Sequence, residues 1–303
     1  MKKMTGKNTL MLFLTAFIWG SAFVAQSVGM DYVGPFTFSC VRSFIGGIFL
    51  IPCIWFLDQW RAKNDGTEGE KKAVSKEEKK MELLGGICCG LALCVATNLQ
   101  QIGMQYTTVG KAGFITALYI VLVPIFGIFL KKKVEARIWV SVMISVVGLY
   151  LLCITDKLVL GKGDTLVLLC AVVFTIHILV IDYFSPKADG VRIACIQFFI
   201  TGVLSAIPMF LFETPRLSDI FAAAVPVLYA GVLSSGVAYT LQIVAQKDAD
   251  PTVASLILSL ESVFSVLGGW VILGQKLSIR EIAGCILMFS AIILAQLPGN
   301  KEA

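Results

Sequence analysis

Ten runs of mainly apolar residues, most of them about 20 residues long, leave this chain few ways to fold. They fall near 9–29, 35–57, 83–105, 110–130, 137–154, 164–184, 191–212, 219–241, 252–273 and 281–297. At 1.5 Å per residue, roughly 20 helical residues cross the ~30 Å hydrocarbon layer of a bilayer. The fifth and tenth runs are the shortest. In lipid every backbone N–H and C=O must be satisfied within a helix or a closed barrel, and these runs lack the polar–apolar alternation of barrel strands. The expected fold is therefore an all-α polytopic membrane protein with ten transmembrane helices. Composition agrees: the chain is 57% apolar and 15% charged, where soluble domains hold about 45–50% and about 25%.

The charges between the runs set the threading. With the N-terminus in the cytoplasm, 18 of the 25 basic residues lie in cytoplasmic loops, among them Lys2, Lys3, Lys7, Lys131, Lys132, Lys133 and those of a basic connector at 58–81. Six lie on the other side, and Arg42 remains inside a run. This bias follows the positive-inside rule and places both termini in the cytoplasm of a cell-membrane protein. The net charge of +5 is accounted for by loop asymmetry, with no nucleic-acid partner. The first run is read as an uncleaved helix, since it exceeds a signal core and nine more follow. The end of the connector at 74–81 could continue the third helix outward.

The chain is built twice. CVRSFIGG (40–47) aligns with CIQFFITG (195–202) at an offset of 155, which also sets Trp19 against Phe174. NLQQIG (98–103) aligns with TLQIVA (240–245), and AGFITALY (112–119) with ASLILSLE (254–261), at an offset of 142. The basic connector, absent from the second half, explains the difference of 13. Residues 1–157 and 158–303 thus form two five-helix halves. An odd number of crossings sends the second copy into the membrane from the opposite side, giving two inverted five-helix repeats, an architecture of secondary transporters with a substrate site between halves.

The stretches AFIWGSAFVAQSVGMDYVGPFTFSCVRSF, QYTTVGKAGFITALYIVLVPIFGIFL and AQKDADPTVASLILSLESVFSVLGGWVILGQ resemble the drug/metabolite transporter superfamily, EamA-type branch. Trp19-Gly20-Ser21, the spacing of Pro35 to Arg42, and Ser259-Leu260-Glu261 carry the likeness. The resemblance implies a ten-helix, two-repeat carrier of small metabolites. The family's Leu-Gly-Glu pattern after the fourth and ninth spans is missing here: Gln275 takes the second position, and FLKKK (129–133) replaces the first.

Candidate site residues follow from polar groups inside the spans. Arg42 lies about seven residues, some 10 Å, into the second span. A charge near a helix centre costs roughly 2.5–3.5 kcal/mol; Arg42 snorkels outward, ties helices together through backbone carbonyls, or clamps an anionic substrate. Glu261, near the middle of the ninth span, is a candidate for carrying a proton, binding a substrate amine or pairing with Arg42; the bland alternative is one interhelix hydrogen bond. Tyr119 occupies the matching position in the first half. Cys94, Asn98, Gln101 and Gln105 share one helical face, as do Ser235, Tyr239, Gln242 and Gln246, and each face lines either a cavity or a helix contact. Trp19 and Gln26 are further cavity candidates. His177, the only histidine, is either hydrogen-bonded structure or a second proton-coupling group. Pro124 could kink the fourth span. Nine cysteines fall inside the runs with no C-x-x-C pair, so neither zinc nor another cofactor is expected. G-x-x-x-x-G-K-[ST], H-E-x-x-H and G-x-S-x-G do not occur, which argues against ATP drive and hydrolytic chemistry. The expected function is secondary-active transport of a small organic metabolite such as an amino acid or amphipathic compound, with export as the direction taken from the family resemblance and protons as a candidate coupling ion. An uncoupled facilitator or exchanger is the alternative, with a receptor or assembly subunit behind it.

Overall fold

The computed structural model describes residues 4–64, 75–107, 109–132, 134–153, 161–273 and 278–297. Gln275, Lys133, the middle of the basic connector and the boundary expected between the halves lie outside them. The described secondary structure is helical throughout: α1 Gly6–Gly29, α2 Pro35–Asn64, α3 Lys76–Met104, α4 Val109–Ala117, α5 Tyr119–Phe129, α6 Ala136–Cys153, α7 Lys162–Phe184, α8 Gly190–Phe212, α9 Leu217–Ala222, α10 Ala224–Leu228, a π-helix Tyr229–Tyr239, α11 Thr240–Gln246, α12 Pro251–Leu258, α13 Glu261–Leu273 and α14 Ile279–Gln296.

Short polar side chains start these helices by taking backbone N–H groups that have no partner within the helix. Thr5 caps α1, Asp189 caps α8, and Asp250 caps α12 ahead of Pro251. Ser75 caps α3, which does run outward beyond the apolar segment. Ser278 and Glu281 form a reciprocal box on α14.

Eight helical segments are long and apolar enough to cross a membrane, and Ala136–Leu152 and Pro251–Leu267 are shorter apolar ones. Pro251–Leu267 runs across the break between Leu258 and Glu261, as Lys111–Phe129 runs across the break at Leu118. Large apolar side chains such as Trp55, Phe210, Phe221 and Val271 cover the outside, while Arg42, Gln101, His177, Gln197 and Glu261 are buried. That inversion of the soluble pattern fits lipid as the surrounding solvent. The chain is a multi-pass membrane protein.

The helices pack α2 on α8, α3 on α7 and α8, α6 on α14, and α1 on α13 and the π-helix. The α6–α14 pair runs antiparallel. Arg137 at the start of α6 donates to Leu297 O just past the end of α14, and Gly148 late in α6 meets Gly284 early in α14. These two glycines set the spacing, since a Cβ on Gly284 would lie 2.7 Å from Gly148 O. The π-helix, an uncommon widened turn that recurs at functional sites, rests against α1 and α2; Thr15 Oγ1 donates to Ala238 O (3.1 Å) within it.

Candidate functional site

Two helix interruptions meet at the centre. Between α4 and α5, Leu118 N bonds Ile115 O (3.2 Å) and Val121 N bonds Leu118 O (3.0 Å). Between α12 and α13, Leu260 N bonds Ile257 O (3.1 Å) and Ser262 N bonds Ser259 O (3.2 Å). These three-residue bonds tighten the helix locally. In α12 the Ser255 hydroxyl, and just past its end the Ser259 hydroxyl, also turn back onto Thr252 O and Leu256 O (2.8 and 2.7 Å), which bends a helix. The break in the fourth span thus comes at Leu118, and Pro124 sits within α5. Tyr119 and Glu261 each open the half-helix that follows, and Tyr119 OH donates to Glu261 Oε1 across 3.1 Å.

Helix α1 comes close because Gly20 has no side chain: a Cβ there would lie 2.6 Å from both Glu261 O and Phe264 Cβ. Its neighbour Trp19 packs on Tyr239 from the end of the π-helix, ring centroids 4.5 Å apart. Farther along α1, Gln26 Oε1 accepts from Arg42 Nη1 (3.3 Å), and Gln26 O accepts from Gln101 Nε2 (3.3 Å). Arg42 also lies 5.7 Å from the centroid of the Phe38 ring. It is 4% exposed, so it does not reach the surface by snorkelling.

These groups enclose a narrow cavity with about 30 Å³ of space for water centres, where one water needs on the order of 10–15 Å³. Trp19, Ala22, Phe23, Gln26, Arg42, Gln100, Thr116, Tyr119, Phe174, Ile178, Ser234, Tyr239, Gln242, Leu258 and Glu261 line it, and all but Trp19 are buried. Trp19 Nε1 and Gln242 Oε1 have no hydrogen-bond partner among the described residues. Buried polar atoms are paired in the great majority of cases, so these two are polar capacity in wall residues that the described side chains leave unused. Among the described residues no group of three or more His, Cys, Asp or Glu is placed to hold a metal ion.

The profile of the EamA-like transporter family matches residues 7–154 and 161–297. The chain belongs to that family. An uncharacterized transporter of Archaeoglobus fulgidus is 32% identical over 94% of this chain and 84% of its own length. The uncharacterized transporter YoaV of Bacillus subtilis is 22% identical over 95% and 96%. A crystal structure of a protein superposes with a TM-score of 0.75 over 96% of both chains at 18% identity, a likeness of fold. This EamA-like chain is accordingly a membrane transporter.

Of the residues singled out from the sequence, Glu261, Arg42, Tyr119, Tyr239, Gln242 and Trp19 line the cavity. Gln101 stands behind the wall, bonded to the Gln26 carbonyl. Asn98 points elsewhere, donating to Ser205 Oγ on α8 (2.9 Å). His177 lies one layer out, Nε2 3.2 Å from Gln197 Oε1 and its ring 6.0 Å from that of Tyr239. Gln100 and Thr116, bonded to each other at 3.2 Å, line the cavity unanticipated. The repeat alignment held the signal for Gln100, since the 142-residue offset pairs it with Gln242.

Proposed function

We propose that this transporter is a secondary carrier of a small organic metabolite, such as an amino acid or amphipathic compound, working by alternating access about the central cavity. In this reading ten spans form two inverted five-helix repeats, 1–157 and 158–303, with both termini in the cytoplasm of the cell membrane. One observation carries it. Under the two repeat offsets, Trp19 and Phe174, Phe23 and Ile178, Gln100 and Gln242, Thr116 and Leu258, and Tyr119 and Glu261 are equivalent pairs, and both members of every pair line the cavity. A site at the interface of two repeats is where a carrier of this architecture holds its substrate.

The end contacts support the threading. Lys132 pairs with Asp182, Thr107 bonds Asp164, and Arg137 bonds Leu297; alternate crossing puts both partners of each on one side. The antiparallel α6–α14 pair is also what inverted equivalents require. Export out of the cytoplasm is proposed on the family likeness. Glu261, whose side chain is bonded to the Tyr119 phenol and to no cation among the described residues, is the proposed proton carrier and a candidate partner for a substrate amine. Arg42 is the proposed partner of a substrate anion, with Tyr119, Tyr239, Gln242 and Trp19 completing the wall. Gln101 and His177 support it from behind, and Asn98 ties α3 to α8.

The test is counterflow in proteoliposomes across a labelled metabolite library, with and without a pH gradient. Saturable counterflow of at least one solute supports a carrier. Counterflow without response to the gradient leaves an exchanger or facilitator, and a linear, non-saturating flux refutes alternating access.

A further inference from the structure

The α2–α8 pair carries a matched contact at each end. At one end the Glu213 carboxylate, just past α8, accepts from Phe36 N (2.9 Å), Thr37 N (2.8 Å) and Thr37 Oγ1 (2.6 Å) in the first turn of α2. At the other end Asp58, late in α2, accepts from Arg192 Nη2 (2.6 Å) in the first turn of α8. The offset of 155 carries Asp58 onto Glu213 and Thr37 onto Arg192. One ancestral contact is therefore present twice, at opposite ends of an antiparallel pair.

The two copies are built differently. Helix α8 brings its own cap, Asp189, which accepts from Val191 N (2.8 Å) and Arg192 N (3.2 Å). The Arg192 side chain is left to Asp58, with its Nε 3.9 Å from Glu82 Oε1 on α3. The residue equivalent to Asp189 ahead of α2 is Gly34, which has no side chain to offer. The unpaired N–H groups of α2 are taken instead by Glu213 from the opposite half. Gly34 also makes the room, because a Cβ there would collide with the Glu213 carboxyl.

We propose that Glu213 and Asp58 are a pair of latches that close the two mouths of the cavity in turn. The Glu213 latch releases when the cavity opens outward, and the Asp58–Arg192 latch when it opens to the cytoplasm. This rests on the carrier function proposed above. The latches are unequal. Parting Glu213 from α2 strands backbone donors and breaks charge-assisted bonds, whereas Arg192 and Asp58 are 32% and 44% exposed and such surface pairs contribute little. The outer mouth is the more firmly held, and the resting protein favours opening to the cytoplasm.

The test places Ser234→Cys in the cavity wall of the full chain, in right-side-out and inside-out vesicles treated with a membrane-impermeant thiol reagent. The peptide carrying position 234 is read by mass spectrometry, apart from the native cysteines. Glu213→Gln should raise the outside-to-inside labelling ratio about tenfold or more, and Asp58→Asn should lower it by no more than about fivefold. Gly34→Ala keeps both carboxylates but crowds Glu213 out, and should act as Glu213→Gln does. A ratio unmoved by both carboxylate variants, or moved the same way by both, overturns the latches. Counterflow of the unsubstituted chain is measured alongside: its absence refutes the carrier function, and its presence with an unmoved ratio refutes the latches alone.

Discussion

Replacing Gly20 by alanine probes the closest approach of α1 to the centre. The added Cβ would sit 2.6 Å from Glu261 O and 2.6 Å from Phe264 Cβ, and 2.9 Å from Ser265 N, against an ordinary contact of 3.4 Å or more. Two of those atoms are backbone, so no side-chain rotation relieves the clash. Helix α1 must move away from α13 by about 0.8 Å (3.4 − 2.6). Overpacking of this kind costs typically about 1–3 kcal/mol. Gly113→Ala supplies the control, because its Cβ would meet only Ser262 Oγ, at 3.7 Å. Both substitutions share the gain in helix propensity of up to about 1 kcal/mol, so their difference isolates the clash. Gly20→Ala should be less stable than Gly113→Ala by about 1–3 kcal/mol, read as the shift in equilibrium unfolding in mixed micelles under a rising fraction of denaturing detergent. Equal stability of the two would refute the inference that α1 and α13 touch at Gly20.

Two further substitutions probe the cavity chemistry. Glu261→Gln keeps a hydrogen bond from Tyr119 but cannot carry a proton; pH-driven transport should vanish while counterflow persists, and a gradient response like that of the unsubstituted chain would rule out the coupling role. Arg42→Gln should weaken transport of anionic solutes by about tenfold or more relative to cationic ones, and equal loss for both would assign Arg42 to structure.

Much of the helical layout was legible because span length and loop charge are one-dimensional signals. Most helix ends fall within a few residues of the apolar runs; α3 extends outward as the charged residues before it allow, α2 runs on to Asn64, and the eighth span, Ala224–Gln246, lies five residues farther along than expected. What lay beyond reach was three-dimensional. Pro124 was the visible candidate for a kink, yet the interruption comes at Leu118, where tightened turns bring the two halves into contact through Tyr119 and Glu261. The π-helix has no periodic signature of its own. Spacing showed that Asn98 and Gln101 share a face but not what that face meets: α8 takes Asn98, and α1 takes Gln101. Gln100, one residue away, turns to the cavity. The repeat register predicts that choice better than helical periodicity, because Gln100 aligns with Gln242 and both line the cavity.

Opposed threading of the two halves is tested most directly at one equivalent pair of exposed residues. Tyr32, between α1 and α2, and Lys187, between α7 and α8, are related by the offset of 155. A single cysteine placed at either position is exposed on intact cells to a membrane-impermeant thiol reagent, with the peptide read by mass spectrometry. Inverted halves predict labelling at position 32 from outside, and at position 187 only after the membrane is opened. Labelling of both positions from the same side would contradict inversion, and the alternating-access cycle with it.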